Sequence, residues 1–501
     1  MRSRDIKTAV WLCGLFAIFF YYLFVSLSTP IVFGDEGYYA SIGRYMLETG
    51  KLPVFEPYHQ TDIYKLPFAK LPLYFFFTYL GFFFGETAVK MLPPLFALLA
   101  ALSVFVFLSR AGFRNSAMAA SLALLLLPGV ATYGTLNYVE ISLILFFTLS
   151  VYFSYLAAKE RGYAILSGIF SGLSFLTDLT GAFAPVVSSV FLLSERKFRE
   201  AAAVLGVSAA VALPFLIRNL ALFGAFCLPG LPGDCGPVIL GNIETYGYKA
   251  DAPLVPQLGT GLKVASFGWH NYFLFAYGAT ASYLLFAGAL NLRNLRRKRL
   301  ARVLGIWLAV FALVTVHQGF FGFRAEDTVR YTLFGFPALA MSIGLLSSAF
   351  RKRAALAALA IVLVLAPYGL LKLTGMIGVK HRLDSVVDAC RWIRENTPED
   401  ALFYGIYAHQ EAYQCHRKVQ SVVPDRDIIR LWANETSYEH IKAHGYDYII
   451  VELFTLSPVP YGESTPYEFL SWLESSDRFE RVYDNTRVFG NSGIVVYRVV
   501  K

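Results

Sequence analysis

The chain has 501 residues, of which 56% are apolar and only 16% charged, with a net charge of +9. A soluble domain carries roughly 25% charged and 45–50% apolar residues, so this composition indicates a membrane protein. The basic residues stand in short clusters between apolar runs, which argues against nucleic-acid binding and is typical of membrane topology.

The first apolar run, 8–28, follows a short basic N-terminus. It is about 21 residues long, whereas a cleaved signal peptide has an apolar region of about 7–15 residues, so we expect a retained spanning helix. Together with ten later runs it predicts an α-helical polytopic membrane protein of about eleven spans. The later runs are at about 89–109, 116–134, 141–158, 163–179, 180–194, 200–217, 271–290, 302–321, 331–349 and 354–374.

Charge sets the predicted orientation. With the N-terminus in the cytoplasm, six short basic pieces all fall on the cytoplasmic side, as the positive-inside rule requires. The apolar segment 71–84 is only about 14 residues long, and counting it as a span would move Arg110 and Arg114 outside. We therefore predict an interfacial or re-entrant helix there. The outer pieces are then 29–88, 218–270 and the C-terminal region from about 378.

The composition changes at about residue 378 to that of a soluble protein. A helix is predicted over 384–396 and another near 438–444, and strands are predicted at 402–404, 446–451 and 493–500. We expect residues 1–377 to form the membrane domain and residues 378–501 to form an extracytoplasmic α/β domain. Acceptor binding, a cap over a membrane site and simple stabilisation remain alternatives for its role.

The chain has five cysteines. Cys13 lies in the first span and is predicted to be a small packing residue. Cys227 with Cys235, and Cys390 with Cys415, fall in predicted outer segments, which favours two disulfides in an oxidising compartment. The alternative is that these four are free thiols.

Two adjacent carboxylates, Asp35 and Glu36, follow the first span directly. Charges at the edge of a low-dielectric region are costly unless they are paired, hydrated or bound to a metal. Neighbouring carboxylates also raise one another's proton affinity, which suits a general base. The alternative is a solvated helix end.

Further polar residues fall at predicted outer boundaries. Glu140 and Asn137 stand at the outer end of the fourth span, Lys70 precedes the interfacial segment, and Arg330-Tyr331 opens a late span. Lysine and arginine at such an interface bind lipid phosphates, although singly each is also a common snorkelling residue.

Only a few residues are candidate metal ligands or functional histidines. Glu36 and Glu140 are candidate ligands for a divalent cation such as Mg²⁺, Mn²⁺ or Zn²⁺, because hard cations favour oxygen ligands. His59, His270 and His317 also lie at or near the predicted outer face, and a lone histidine is more often structural.

These motifs resemble those of the GT-C membrane glycosyltransferases, specifically the protein O-mannosyltransferase and aminoarabinose-transferase superfamily. Asp35-Glu36-Gly-Tyr-Tyr-Ala40 matches an acidic motif after the first span, and Lys70-Leu-Pro-Leu-Tyr74 echoes a Lys-Pro-Pro-Leu-Tyr-like stretch. Glu140 corresponds to a second acid near the fourth span, and Arg330-Tyr331 to a basic–tyrosine pair. Two departures are Ala69, where an acid often precedes the lysine, and Asp178, where a lysine is common.

The resemblance implies a polyprenyl- or dolichyl-phosphate sugar as donor and a protein, glycan or lipid acceptor on the outer side. Asp35 would be the general base, with Glu36 as a second catalytic residue, and Lys70, Arg330 and Tyr331 would bind the donor phosphate. Glu36 and Glu140 would orient Asp35, contact the acceptor or hold a divalent cation. Asn137 and His59 are further candidates for contact with the acceptor or a metal. A flippase for lipid-linked sugars and a non-catalytic membrane assembly or sensor protein are the rival interpretations.

Overall fold

We examined a computed structural model of the full chain. The structure describes residues 3–31, 35–55, 57, 59–60, 68, 70–227, 298–320, 330–349, 383–405, 408–422, 435–453 and 466–500. The predicted spans 271–290 and 354–374, most of the outer loop 218–270, His270 and Cys235 lie outside these residues.

The chain forms two compact units. The first unit comprises Met1–Ser26, Ala69–Tyr74 and Met91–Thr374, and the second comprises Leu27–Phe68, Phe75–Lys90 and Gly375–Lys501. The second unit therefore combines most of the predicted first outer loop with the C-terminal region. A single boundary at 377/378 does not group these two segments together.

The described helices are numbered in chain order. They are α1 Ser3–Ser28, α2 Glu36–Thr49, α3 Leu73–Phe82, α4 Glu86–Arg110, α5 Arg114–Leu126, α6 Pro128–Tyr133, α7 Glu140–Ala157, α8 Tyr163–Thr177, α9 Phe183–Ser194, α10 Phe198–Phe223, α11 Lys298–Phe320, α12 Phe336–Ala349, α13 Asp384–Asn396, α14 Ala408–Cys415, α15 Glu435–Ala443, α16 Pro466–Ser475 and α17 Thr486–Phe489. Within the described ranges, α4, α7, α10 and the Thr8–Ser28 part of α1 are long and apolar enough to cross a membrane. The predicted interfacial segment contains α3, which has only 10 residues.

Two helix breaks have local causes. The run 116–134, predicted as one span, is divided into α5 and α6 by Leu127, whose backbone is extended (φ −65°, ψ 128°). Leu127 precedes Pro128, and a residue before proline is driven out of the helical region. The predicted break at 179/180 is present: Asp178 is extended, and a 3₁₀ turn, Leu179–Ala182, separates α8 from α9.

Small residues let the helices of the first unit pack closely. A Cβ on Gly168 would lie 2.7 Å from Val207 Cβ, and one on Gly172 would lie 2.5 Å from Val211 Cβ. Glycines four residues apart on α8 thus allow close approach to α10, as is common in membrane helix pairs. Cys13, predicted to be a packing residue, is instead exposed on α1, on a helix that also exposes large apolar side chains.

Ion pairs join segments that the charge pattern assigns to the same side. Glu195 binds both Arg299, at 3.0 Å, and Arg302. Arg161 Nε lies 3.3 Å from Glu200 Oε1. Each pair joins two of the basic pieces predicted to be cytoplasmic, so the structure is consistent with that grouping.

A six-stranded mixed sheet lies in the second unit. Its strands are β1 His59–Gln60, β2 Leu402–Tyr404, β3 Lys418–Val422, β4 Tyr448–Glu452, β5 Phe479–Asp484 and β6 Ile494–Val499. The order is β1-β3-β2-β4-β6-β5, with β1, β3, β2 and β4 parallel and β4, β6 and β5 antiparallel. The predicted helices 384–396 and 438–444 and the three predicted strands are present as α13, α15, β2, β4 and β6.

The sequence analysis missed β1, β3 and β5. The edge strand β5 reads Phe-Glu-Arg-Val-Tyr-Asp and is mostly exposed, so its apolar signal is weak. β1 has only two residues and comes from the first loop, His59 pairing with Ser421 of β3. No local pattern marks so short a strand.

One predicted disulfide is confirmed. Cys390 on α13 is bonded to Cys415 at the end of α14. Cys227 is also disulfide-bonded, and Cys235, its predicted partner, lies outside the described residues.

Candidate functional site

The first unit contains a buried ion pair between residues that are far apart in sequence. Glu140 is the first residue of α7 and is buried. Its Oε1 accepts a hydrogen bond from Nε of Arg330, whose side chain is 13% exposed. The second carboxylate oxygen of Glu140 is buried and has no hydrogen-bond partner among the described residues.

Two tyrosines frame the Arg330 guanidinium. Its central carbon lies 4.8 Å from the ring centroid of Tyr138 and 5.5 Å from that of Tyr331. Such cation–π contacts stabilise a guanidinium and restrict its orientation. The structure thus joins the predicted Arg330-Tyr331 pair to the predicted acid Glu140.

A second polar contact joins the Lys70 segment to the residues before α7. Tyr74 Oη donates to Asn137 Oδ1 at 2.9 Å, and both side chains are buried. Lys70, four residues before Tyr74, is exposed. Asn137 therefore has a structural partner in addition to its predicted role at the acceptor.

Asp178 brings another acid near Glu140. It stands at the end of α8, where its Oδ1 accepts from the backbone and hydroxyl of Thr180 at 2.8 and 2.6 Å. It is close enough to Glu140 to interact with it electrostatically. The local cluster thus holds two acids and one arginine, and a neighbouring acid makes the Arg330 charge more important to Glu140.

The Asp35-Glu36 motif lies in the second unit, at the start of α2. Asp35 is the N-cap residue, but its side chain does not cap the helix. Its backbone carbonyl accepts from Tyr39 N at 3.0 Å. Glu36 is 1% exposed and occupies the first helical turn, where the helix dipole favours a negative charge.

Helix α2 packs on α3 through its small residues. A Cβ on Gly43 would lie 2.5 Å from Thr78 Oγ1. Tyr38 contacts the ring of Phe75 edge-on, with centroids 5.9 Å apart. The predicted candidate His59 lies in the first loop as well, in the edge strand β1.

The sequence suggests two glutamates as ligands for a divalent cation. Glu36 and Glu140 fall in different units. Within the part of the chain that the structure describes, no group of three or more His, Cys, Asp or Glu side chains is arranged to hold a metal ion.

Sequence reasoning missed several residues that hold the candidates in place. The Tyr138 ring contacts the Arg330 guanidinium, and Asp178 interacts electrostatically with Glu140. The available signal for Asp178 was an acid where related motifs have lysine. For α2, the sequence did not indicate that its partners come from the C-terminal region, because such contacts join distant parts of the chain.

Comparison with known proteins gives a partial family match and extensive structural matches. Residues 67–220 match the family model of dolichyl-phosphate-mannose-protein mannosyltransferase. No curated protein sequence matches the chain significantly.

The structural matches cover nearly the whole chain. ArnT from Cupriavidus metallidurans bound to undecaprenyl phosphate has a TM-score of 0.63 and 17% identity, covering 97% of each chain. The oligosaccharyltransferase AglB from Archaeoglobus fulgidus in complex with an inhibitory peptide and a dolichol-phosphate has a TM-score of 0.61 and 15% identity, covering 94% of this chain and 72% of that one. The Archaeoglobus fulgidus oligosaccharyltransferase in complex with Zn and sulfate has a TM-score of 0.60 and 15% identity, covering 97% and 73%. The chain therefore has the polytopic helical fold of the GT-C glycosyltransferases, with a helix–sheet region at its C-terminal end.

Proposed function

We propose that this protein is an integral-membrane glycosyltransferase that moves a sugar from a polyprenyl- or dolichyl-phosphate donor to an acceptor hydroxyl on the extracytoplasmic side. One observation carries the proposal: the chain shares its fold, over 97% of both chains, with a protein whose structure contains undecaprenyl phosphate. The match of residues 67–220 to a mannosyltransferase family model supports the same chemistry.

Asp35 is the proposed general base. It removes the proton of the acceptor hydroxyl, whose oxygen then attacks the anomeric carbon while the lipid phosphate leaves. A single displacement of this kind inverts the anomeric configuration. Asp35 stands at the N-terminal end of α2, with the buried carboxylate of Glu36 next to it.

Lys70 and the Arg330–Tyr331 pair are the proposed binding residues for the donor phosphate. Charge on the leaving phosphate increases as the glycosidic bond breaks, so nearby cations lower the barrier electrostatically. The Glu140 carboxylate and the Tyr138 ring orient the Arg330 guanidinium, which pre-organises it for a phosphate.

Glu140 and Asn137 are proposed to contribute on the acceptor side. The second carboxylate oxygen of Glu140 has no hydrogen-bond partner among the described residues, so it keeps its capacity to accept a hydrogen bond. The ion pairs of Glu195 and Glu200 support placing their segments on one side of the membrane. In the proposed orientation the positive-inside rule makes that side cytoplasmic, with the C-terminal region outside.

The direct test uses purified full-length protein and a panel of undecaprenyl- and dolichyl-phosphate hexoses. We expect Asp35→Asn to lower sugar transfer by roughly 10²–10⁴-fold, the usual contribution of a general base. Glu48→Gln, at an exposed position of the same helix, is the matched control and should retain activity.

The outcome also separates the rival functions. Full activity of Asp35→Asn would contradict its role as the base. A flippase would be favoured if the wild type binds polyprenyl phosphate and moves the lipid to the opposite leaflet but transfers no sugar. An assembly or sensor protein would be favoured if mass spectrometry finds no polyprenyl phosphate among the copurified lipids and the protein transfers no sugar.

A further inference from the structure

Helix α2, which begins with the Asp35-Glu36 motif, packs against α14 of the C-terminal region. Both helices lie in the second unit. A Cβ on Gly37 would lie 2.6 Å from Cα of Gln410 and 3.2 Å from its backbone nitrogen. The two backbones therefore approach so closely that only glycine fits at position 37 without a shift. The contact is one residue from Glu36.

Arg44, two turns further along α2, contacts the other end of α14. Its Nη1 donates to the carbonyl of Tyr413 at 3.1 Å, and its guanidinium lies 4.3 Å from the centroid of the Tyr413 ring. Tyr413 is itself fixed, since its hydroxyl donates to Glu86 at 2.9 Å. Arg44 thus makes a hydrogen bond and a cation–π contact with one anchored residue.

The chain before the motif is held by the same helix. Gln414 Nε2 donates to the carbonyl of Ile31 at 2.8 Å. Ile31 is 1% exposed and packs in a small core with Ala40 of α2, Val89 and Tyr413. Asp35 is therefore flanked on both sides by segments that α14 holds, at Ile31 before it and at Gly37 after it.

Helix α14 is rigidly connected to the rest of the C-terminal region. The Cys390–Cys415 disulfide ties its last residue to α13. Arg394 of α13 also donates to the carbonyl of Gln414. Contacts made by a helix fixed in this way restrict α2 more than contacts made by a mobile loop would.

The geometry points to α14 as the positioning element of the acidic motif, with Arg44, Gln410 and Tyr413 as positioning residues. This inference rests on the proposed function of Asp35. A base must be held within about 0.5 Å of its productive position, and misplacement by about 1 Å can cost 10²-fold in rate. The C-terminal region is thereby assigned an effect on turnover that acts through the position of Asp35.

The test compares Arg44→Ala, Arg44→Lys, Gly37→Ala and Tyr413→Phe in the full-length protein. We expect Arg44→Ala and Gly37→Ala to lower kcat at least about tenfold, with KM for the donor changed less than about twofold. The reason is that the packing of α2 on α14 affects the position of the base and not donor binding. Arg44→Lys should recover part of the loss, since lysine keeps a donor and a charge. Tyr413→Phe should show a smaller loss.

The matched control is Tyr483→Phe. Tyr483 donates to Asp388 at 2.6 Å, so this variant also removes a phenol–carboxylate hydrogen bond from the second unit, but one that joins β5 to α13. It should keep wild-type kcat. A second measurement is independent of transfer: hydrogen exchange of the amides of 36–49 should accelerate at least about tenfold in Arg44→Ala and stay at the wild-type rate in Tyr483→Phe.

The outcomes separate the two proposals. Wild-type kcat in Arg44→Ala, a loss confined to KM, or unchanged exchange over 36–49 in both Arg44→Ala and Gly37→Ala would overturn the positioning role. Full activity of Asp35→Asn would instead overturn the proposed function, and the packing of α2 on α14 would then have no catalytic role. The exchange data would still decide whether α14 holds α2.

Discussion

The carboxylate of Glu140 accepts a hydrogen bond from Nε of Arg330, a residue 190 positions further along the chain. Both side chains are largely buried, at 1% and 13% exposure. A buried ion pair contributes little compared with an apolar pair of the same size, yet breaking it leaves a charge without compensation. The first unit should therefore lose much of its stability when either partner of the pair is replaced alone.

We expect Glu140→Gln and Arg330→Gln each to destabilise the protein by about 3–5 kcal/mol, because each leaves one buried charge unpaired. The double variant should be less destabilised than the sum of the two single variants, since neither charge remains. Thermal unfolding of purified protein in detergent provides the measurement. Strictly additive losses would show that the two side chains do not act as a pair.

Close packing of α8 on α10 predicts a strong effect of one methyl group. Gly172→Ala places a Cβ 2.5 Å from Val211 Cβ, and such overpacking costs about 1–3 kcal/mol. Gly206→Ala is the control, because a Cβ there has nothing within 4 Å. The first variant should unfold at a lower temperature than the wild type and the second should not, and equal unfolding temperatures would contradict this packing.

Loss of the Cys390–Cys415 disulfide should destabilise the second unit. The bond closes a loop with a sequence separation of 25, and removing such a bond typically costs about 2–4 kcal/mol through the unfolded state. We expect Cys390→Ser/Cys415→Ser to lower the unfolding temperature and to make the amides of α14 exchange faster. Cys13→Ser, which removes a free thiol, should change neither.

The pair Glu411 and Glu452 should make stability depend on pH. Both side chains are fully buried. Burial raises the pKa of Glu452 to about 8. Burial and the neighbouring Glu452 carboxylate raise the pKa of Glu411 well above its ordinary value of 4.5. The folded state therefore keeps protons that the unfolded state releases near pH 4.5.

Stability from the Glu452 carboxyl is complete below about pH 4.5 and falls as the pH rises to about 8, by up to about 1.4 kcal/mol per pH unit. Glu411 acts in the same direction. Glu452→Gln should flatten the fall, measured by thermal unfolding between about pH 5 and 8. Glu480→Gln, an exposed partner of Arg498, should keep the wild-type slope. An unchanged slope in Glu452→Gln would be the contrary result.

The sequence alone determined the membrane class, the approximate positions of the described apolar helices, and the C-terminal helices and strands with clear patterns. These features depend on local composition: helix α13 was predicted over the residues it occupies because its apolar positions recur at helical spacing. The break before Pro128 was also readable in principle, since it follows from a single residue's effect on its neighbour.

Only the tertiary structure decided which distant residues meet. The Glu140–Arg330 pair, the addition of His59 and Gln60 to the C-terminal sheet and the contact of Gly37 with Gln410 all join segments far apart in the chain. Such contacts depend on how whole elements pack, and no spacing within one segment encodes them. The sequence thus identified Asp35-Glu36 as a candidate, and the structure revealed that a helix of the C-terminal region holds it.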